Sequence, residues 1–188
     1  MATSGPGATN LLTGIGNCFF DSVPAIFITG QVNINEQKGD SLTRQIGFQE
    51  TDIVSMARPV TKAAYAIQTA KEIPFIFEEA YQIATSGRPG PVLIDIPMNI
   101  QHEEIDVPEL EVTDSVSEED SITQLTFFQS YINALKNSKR PLILMGRGIR
   151  TSGIVNQFQK FLLKYQVPVA ALFWVLMFCL STILNILV

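Results

Sequence analysis

Short apolar runs alternate with amphipathic stretches along the first hundred residues. Leu11, Leu12, Ile15, Cys18 and Phe19 recur at helical spacing behind the capping candidates Thr9 and Asn10, which predicts a helix over Thr9–Ser22. Ala25–Thr29 is a continuous apolar run ended by Gly30, the pattern of a buried strand. Asn33–Gly47 is polar and reads as a loop. Asp52–Ala57 predicts a short helix closed before Pro59, and Lys62–Ile67 a strand. Glu72–Ser86 carries Ile73, Phe77, Ala80, Ile83 and Ala84 on one face and stops at Gly87, as an amphipathic helix does. Pro91–Pro97 is a second continuous apolar strand. Strands alternating with helices predict an α/β fold, with a parallel sheet and helices on both faces.

The pattern then breaks. Residues 103–120 hold nine of the eighteen acidic residues and no Lys or Arg. Such a stretch repels itself and stays solvated, so it reads as a linker between domains; a long acidic surface loop is the alternative. Beyond it the alternation restarts, with helices over Ser121–Lys136 and Gly153–Tyr165, a strand over Pro141–Met145 and another from Val167. The expected organisation is a first domain over residues 1–100, an acidic linker over 101–120, a partial second domain over 121–170, and a hydrophobic tail over 171–188. The last twenty residues, Val169–Val188, carry no charge. That length can span a bilayer, but the first of them also read as a strand. Buried core and a departure from the ancestral reading frame near Ala170 are the other readings, and the membrane is the least expected of the three.

Composition narrows the chemistry. Hydrophobic residues make up 46% and charged residues 16%, which leaves ample material for a core. A net charge of −5 makes a nucleic-acid backbone a poor partner. Cys18 and Cys179 are far apart and outside any metal-ligand spacing, so no metal site is expected and a reducing compartment, the cytoplasm, fits. His102 is the one histidine, which excludes a mechanism needing two imidazoles. No secretory signal precedes the first glycine loop.

Two glycine loops stand out. Ser4-Gly5-Pro6-Gly7-Ala8-Thr9-Asn10 opens a helix, where the lack of a Cβ lets backbone N–H groups approach a ligand; a plain tight turn is the other reading. Met145-Gly146-Arg147-Gly148 follows a strand and precedes a helix, as dinucleotide loops do, but lacks the third glycine of that fingerprint.

Taken together, the motifs are more specific than either loop. Thr3-Ser4-Gly5-Pro6-Gly7-Ala8-Thr9-Asn10, Asp21-Ser22-Val23-Pro24, Thr29-Gly30-Gln31-Val32, Gly47-Phe48-Gln49-Glu50-Thr51-Asp52, Thr61-Lys62 and the segment from Ala84 through Gly87-Arg88-Pro89-Gly90 to Pro97 occur in order. This series resembles the thiamine-diphosphate enzymes of the acetolactate synthase large-subunit group, over about residues 2–170. The resemblance implies a pyrimidine-binding α/β domain, truncated at its start, followed by part of a Rossmann-like central domain. It implies that Thr3, Pro6 and Asn10 line the cofactor's aminopyrimidine, and that Gln49 stands near the reacting centre as a neutral donor and acceptor. Phe48 is implied to shape the substrate pocket and Lys62 to lie near the substrate channel. Arg88 is implied to contact a flavin, whose glycine loop matches Gly146 and Gly148. A surface-loop amide for Gln49, core packing for Phe48, an exposed strand end for Lys62 and a helix-end role for Arg88 are the structural alternatives.

The resemblance also implies a 2-oxoacid substrate, homo-oligomers, and magnesium held with the diphosphate in a domain beyond this chain. Arg147 stands where the synthases carry glycine, Met98 where they carry lysine, and Asn33 where they carry proline. Flavin binding is therefore expected to be weak or absent. The expected function is that of a fragment of a 2-oxoacid carboligase making acetolactate for branched-chain amino acids, inactive alone because the family's catalytic glutamate lies upstream of the glycine loop. A 2-oxoacid decarboxylase or sugar-linked carboligase is the alternative within the cofactor class, and a non-catalytic interaction fragment the alternative outside it.

Overall fold

Seven consecutive buried residues, Pro91–Pro97, leave no face of their strand for water, so the strand must lie at the centre of a sheet covered on both sides. That is its place in the computed structural model, which describes residues 1–107 and 121–171. The chain forms two units, Met1–Thr113 and Asp114–Val188. Most of the expected acidic linker (108–120) and of the hydrophobic tail (172–188) lies outside the described residues.

In the first unit, strands β1 (Ala25–Gln31), β2 (Ala63–Ala66) and β3 (Pro91–Pro97) form a parallel sheet in the order β1-β3-β2. Register runs from Ala25 opposite Pro91 to Gln31 opposite Pro97, and Ala63 lies opposite Val92. Alternate residues of β3 serve opposite cores. Val92, Ile94 and Ile96 pack with Ala80 and Ala84 of α3 (Ile73–Thr85). Leu93 packs with Ala8 and Ile15 of α1 (Pro6–Phe20) and with Ile53, Val54 and Ala57 of α2 (Ile53–Ala57). The prediction of a parallel sheet with helices on both faces holds.

Helix α1 starts at Pro6, three residues before the predicted start. Proline's fixed φ suits the first helical position, and Gly5 takes φ 62° as its N-cap. Thr9 is therefore inside the helix, its hydroxyl donating to the Pro6 carbonyl at 3.1 Å. At the far end Ser22, at φ 55°, closes a Schellman turn in which the Val23 N–H donates to the Cys18 carbonyl at 2.8 Å. Asp52 caps α2 by accepting from the Ser55 N–H at 3.0 Å. The Asn33–Gly47 segment is a loop as predicted, but Ile34–Glu36 within it is a turn of 3-10 helix. Helix α4 (Met98–Gln101), a single turn that no periodicity announces, follows β3.

The second unit pairs β4 (Ile143–Met145) with β5 (Val169–Ala171) in parallel. Helices α5 (Ser121–Asn137), α6 (Gly148–Thr151) and α7 (Val155–Tyr165) accompany them. Among the described residues no helix is long and apolar enough to cross a membrane.

Candidate functional site at the carboxyl end of the first sheet

In open parallel sheets ligands bind beyond the carboxyl ends of the strands. Here a cavity of about 560 Å³ opens at that end of β1 and β3. Ile28, Val32 and Ile96 supply apolar wall; Thr3, Ser4 and Gln31 supply neutral polar groups. The chain reaches this place through Ala2, which pairs with the outer edge of β1: its N–H donates to the Ile28 carbonyl at 3.0 Å, and its carbonyl accepts from the Gly30 N–H at 2.9 Å. That pairing carries Thr3, Ser4 and Gly5 across the strand ends and into α1.

Two close backbone approaches bring the second motif onto the first. A Cβ on Gly5 would stand 2.7 Å from the Gln49 Cβ and 2.9 Å from its carbonyl, and Gly5 already has a positive φ. A Cβ on Gly47 would stand 2.9 Å from Val32 Cγ2. Glycine at both positions lets the Gly47–Thr51 segment lie against the strand end and the glycine loop together. Gln49 itself is at φ 61°, uncommon for a residue with a side chain.

The structure thus gathers Thr3, Gly5, Phe48 and Gln49 at one place. Phe48 lines the cavity yet is 84% exposed. Pro6 and Asn10 lie one helical turn apart on an exposed side of α1. Met98 also lines the cavity.

Lys62 is elsewhere. It precedes β2 at the amino end of the sheet, its N–H donating to the Pro91 carbonyl at 2.8 Å. Its ammonium donates to the carbonyls of Ile83 and Ser86, the last carbonyls of α3, a favourable place for a cation. Desolvation lowers its pKa. Arg88 is also at the amino end, with Nε donating to the Ser22 hydroxyl at 2.7 Å. Gly146 and Gly148 belong to the second unit, in the turn from β4 to α6; the Gly148 carbonyl accepts from the hydroxyls of Thr151 and Ser152. The first unit therefore brings Thr3 and Phe48 to one cavity and Gln49 against Gly5, whereas Pro6, Asn10, Lys62 and Arg88 are not among the residues lining that cavity.

Two carboxylates near the cavity, Glu50 and Asp95, fall within the quoted motifs but have no role that the motifs assign. Glu50 holds the preceding loop with both oxygens: one accepts from the Lys38 N–H at 2.6 Å, the other from the Ile46 N–H at 2.8 Å. Asp95, 4% exposed, lies beneath the cavity on the face of β3 that Leu93 shares. Its oxygens accept from the Thr29 hydroxyl at 2.6 Å and the Gln31 amide at 3.0 Å. Burial pushes its carboxyl up from 3.8 to about 6, against the pull of those two hydrogen bonds, and Asp52 adds to the rise.

Residues 1–56, which hold every close contact between the two motifs, match the model of the thiamine pyrophosphate enzyme N-terminal TPP binding domain. Acetolactate synthase large subunit of Lactococcus lactis is 42% identical over 175 residues, 91% of this chain. The chain is similar to acetolactate synthase large subunits along nearly all its length. Isozyme 2 of Escherichia coli is 36% identical over 89% of the chain, and the chloroplastic synthase of Arabidopsis thaliana 37% over 91%. The chain spans 29%, 29% and 25% of those three proteins, respectively.

The cavity combines apolar walls with the neutral polar groups of Thr3, Ser4 and Gln31, and Glu36 is also among its lining residues. Among the described residues no group of three or more His, Cys, Asp or Glu side chains converges to hold a metal ion.

Proposed function

We propose that the carboxyl-end cavity of the first unit holds the aminopyrimidine of thiamine diphosphate in a carboligase that acts on 2-oxoacids and makes acetolactate. The observation that carries this reading is the seating of Gln49 on Gly5, which brings together the two segments whose Thr3 and Phe48 line the cavity. Thiamine diphosphate, when bound, supplies the electron sink for 2-oxoacid decarboxylation. The chain's own residues orient it: Thr3 offers a hydroxyl to the ring edge, Ile28, Val32 and Ile96 exclude water from its faces, and Gln49 presents an amide that hydrogen-bonds developing charge without titrating. Turnover then requires the remaining parts that the longer relatives carry, including the magnesium and diphosphate site, within a homo-oligomer in the cytoplasm. Arg88, Gly146 and Gly148 are the candidates for a flavin contact, and Arg147, which caps α6, favours weak or no flavin binding. Lys62 acts near substrate only where another part of the assembly reaches the amino end of the sheet.

A chimera tests this function. Residues 2–101 replace the matching segment of the Lactococcus lactis large subunit, and products from pyruvate are assayed with and without added thiamine diphosphate. Cofactor-dependent acetolactate is expected, and Gln49→Ala should lower kcat/KM by about 1.5–3 kcal/mol in transition-state terms. Decarboxylation without carboligation contradicts the product assignment. Unchanged kinetics in Gln49→Ala contradicts the role of that residue.

A further inference from the structure

We infer that Gln31, gripped by Asp95, is the positioning residue that fixes the segment carrying Phe48 and Gln49, the first of which lines the cavity. The last residue of β1, Gln31 uses its whole side-chain amide. Nε2 donates to the Thr51 carbonyl at 2.7 Å and to Asp95 Oδ2 at 3.0 Å, while Oε1 accepts from the Val32 N–H at 3.0 Å. With both donor hydrogens and the oxygen engaged, the amide has one orientation. The carboxylate on the neighbouring strand enforces it, because Asp95 accepts and never donates when ionised.

The two feet of the Phe48–Gln49 segment stand on Gln31, the last residue of β1, and on Val32, which follows it. Before it, Gly47 packs on the Val32 side chain. After it, the Thr51 carbonyl is held by Gln31. Between these feet Gln49 keeps its positive φ, its carbonyl accepting from the Thr51 hydroxyl at 3.5 Å. Without the Gln31 amide the Thr51 carbonyl loses its hydrogen bond to β1, and that end of the segment is held only through α2, whose Ile53 packs against Leu93. Gln31 touches no reacting atom in this account. It acts through the backbone that carries Gln49, and its functional meaning rests on the cofactor reading above.

Backbone amide hydrogen exchange on the full chain tests the inference without any ligand. The reporters are the N–H groups of Glu50 and Ile53, bonded to the Gly47 and Thr51 carbonyls, compared with β3 as a measure of global stability. Gln31→Met keeps the side-chain length and removes every hydrogen bond. It should raise exchange at Glu50 and Ile53 relative to β3 by about tenfold, the loss of one buried hydrogen bond. Thr29→Val takes a bond from the same carboxylate but leaves the segment tied, so this ratio should stay at the wild-type value. Asp95→Asn keeps an acceptor for Gln31 and should do the same. Should Gln31→Met strip protection from β3 as well, Gln31→Asn, which retains the amide but cannot reach Thr51, is read in the same way.

An unchanged ratio in the Gln31 variants overturns the inference, as does an equal rise in Thr29→Val. Thiamine titrated into the same samples reports separately on the cofactor. Failure of the wild-type chain to bind it contradicts the cofactor reading, while the exchange ratios still decide the role of Gln31.

Discussion

The fold changes the acid–base chemistry of Asp95. Its folded-state pKa of about 6 lies above the ordinary 3.8, so the native state holds the proton more tightly than the unfolded chain. The resulting stability is complete below pH 4 and is lost as pH rises through 6. Asp95→Asn, always neutral and still able to accept from Gln31, escapes that loss. It should be more stable than wild type at pH 7 by up to about 3 kcal/mol, with the gap closing below pH 4. Urea unfolding at pH 4 and pH 7 checks this; equal destabilisation at both values contradicts it. Gly5 makes the opposite case, a position where a single methyl has no room. Gly5→Ala combines an unfavourable positive φ with a Cβ 2.7 Å from that of Gln49. A loss of about 1–3 kcal/mol is expected in the same measurement, and wild-type stability would show that the two loops are not in contact.

At the scale of elements, what was legible followed from local pattern. β3 is continuous and apolar, and its predicted bounds are the observed ones because burial on both faces leaves no other reading. The start of α1 was misplaced because hydroxyl caps were weighed above Pro6, which fixes its own φ. The single turns α4 and α6 are too short to show a period. The site was legible only through motif resemblance: no spacing rule brings Gln49 to Gly5, since 43 intervening positions leave that contact to the sheet. Lys62 and Arg88 show the limit of the same reasoning. A motif gives a residue's identity, while the end of the strand on which it falls decides what it can reach, and both fall at the amino end.

The role of Glu50 was not legible because its partners are backbone N–H groups of a loop whose path the sequence does not fix. Glu50→Gln removes the charge and one of its two acceptor oxygens, so the Lys38–Ile46 loop should open locally. Trypsin should then cut at Lys38 or Arg44 several-fold faster, with global unfolding changed by less than about 1.5 kcal/mol. Unaltered cleavage at those two sites would contradict the clasp.

At the scale of the whole molecule, the alternation of strands and helices was enough to predict two α/β pieces, and the described parts of both units carry parallel strands. The chemistry is less evenly spread. The first unit holds a cavity and the residues converging on it, whereas the candidates in the second unit, Gly146 and Gly148, lie in a turn whose hydrogen bonds are local. The central claim is therefore about one cavity and one half of one cofactor. Saturation-transfer NMR of thiamine in the presence of the full chain tests it most directly. Magnetisation from the protein should reach the pyrimidine methyl and ring proton more strongly than the thiazolium methyl, and the exposed cavity-lining substitution Thr3→Trp, which fills the space, should abolish the effect. Transfer confined to the thiazolium, or a pyrimidine signal undiminished in Thr3→Trp, would contradict the assignment of this cavity.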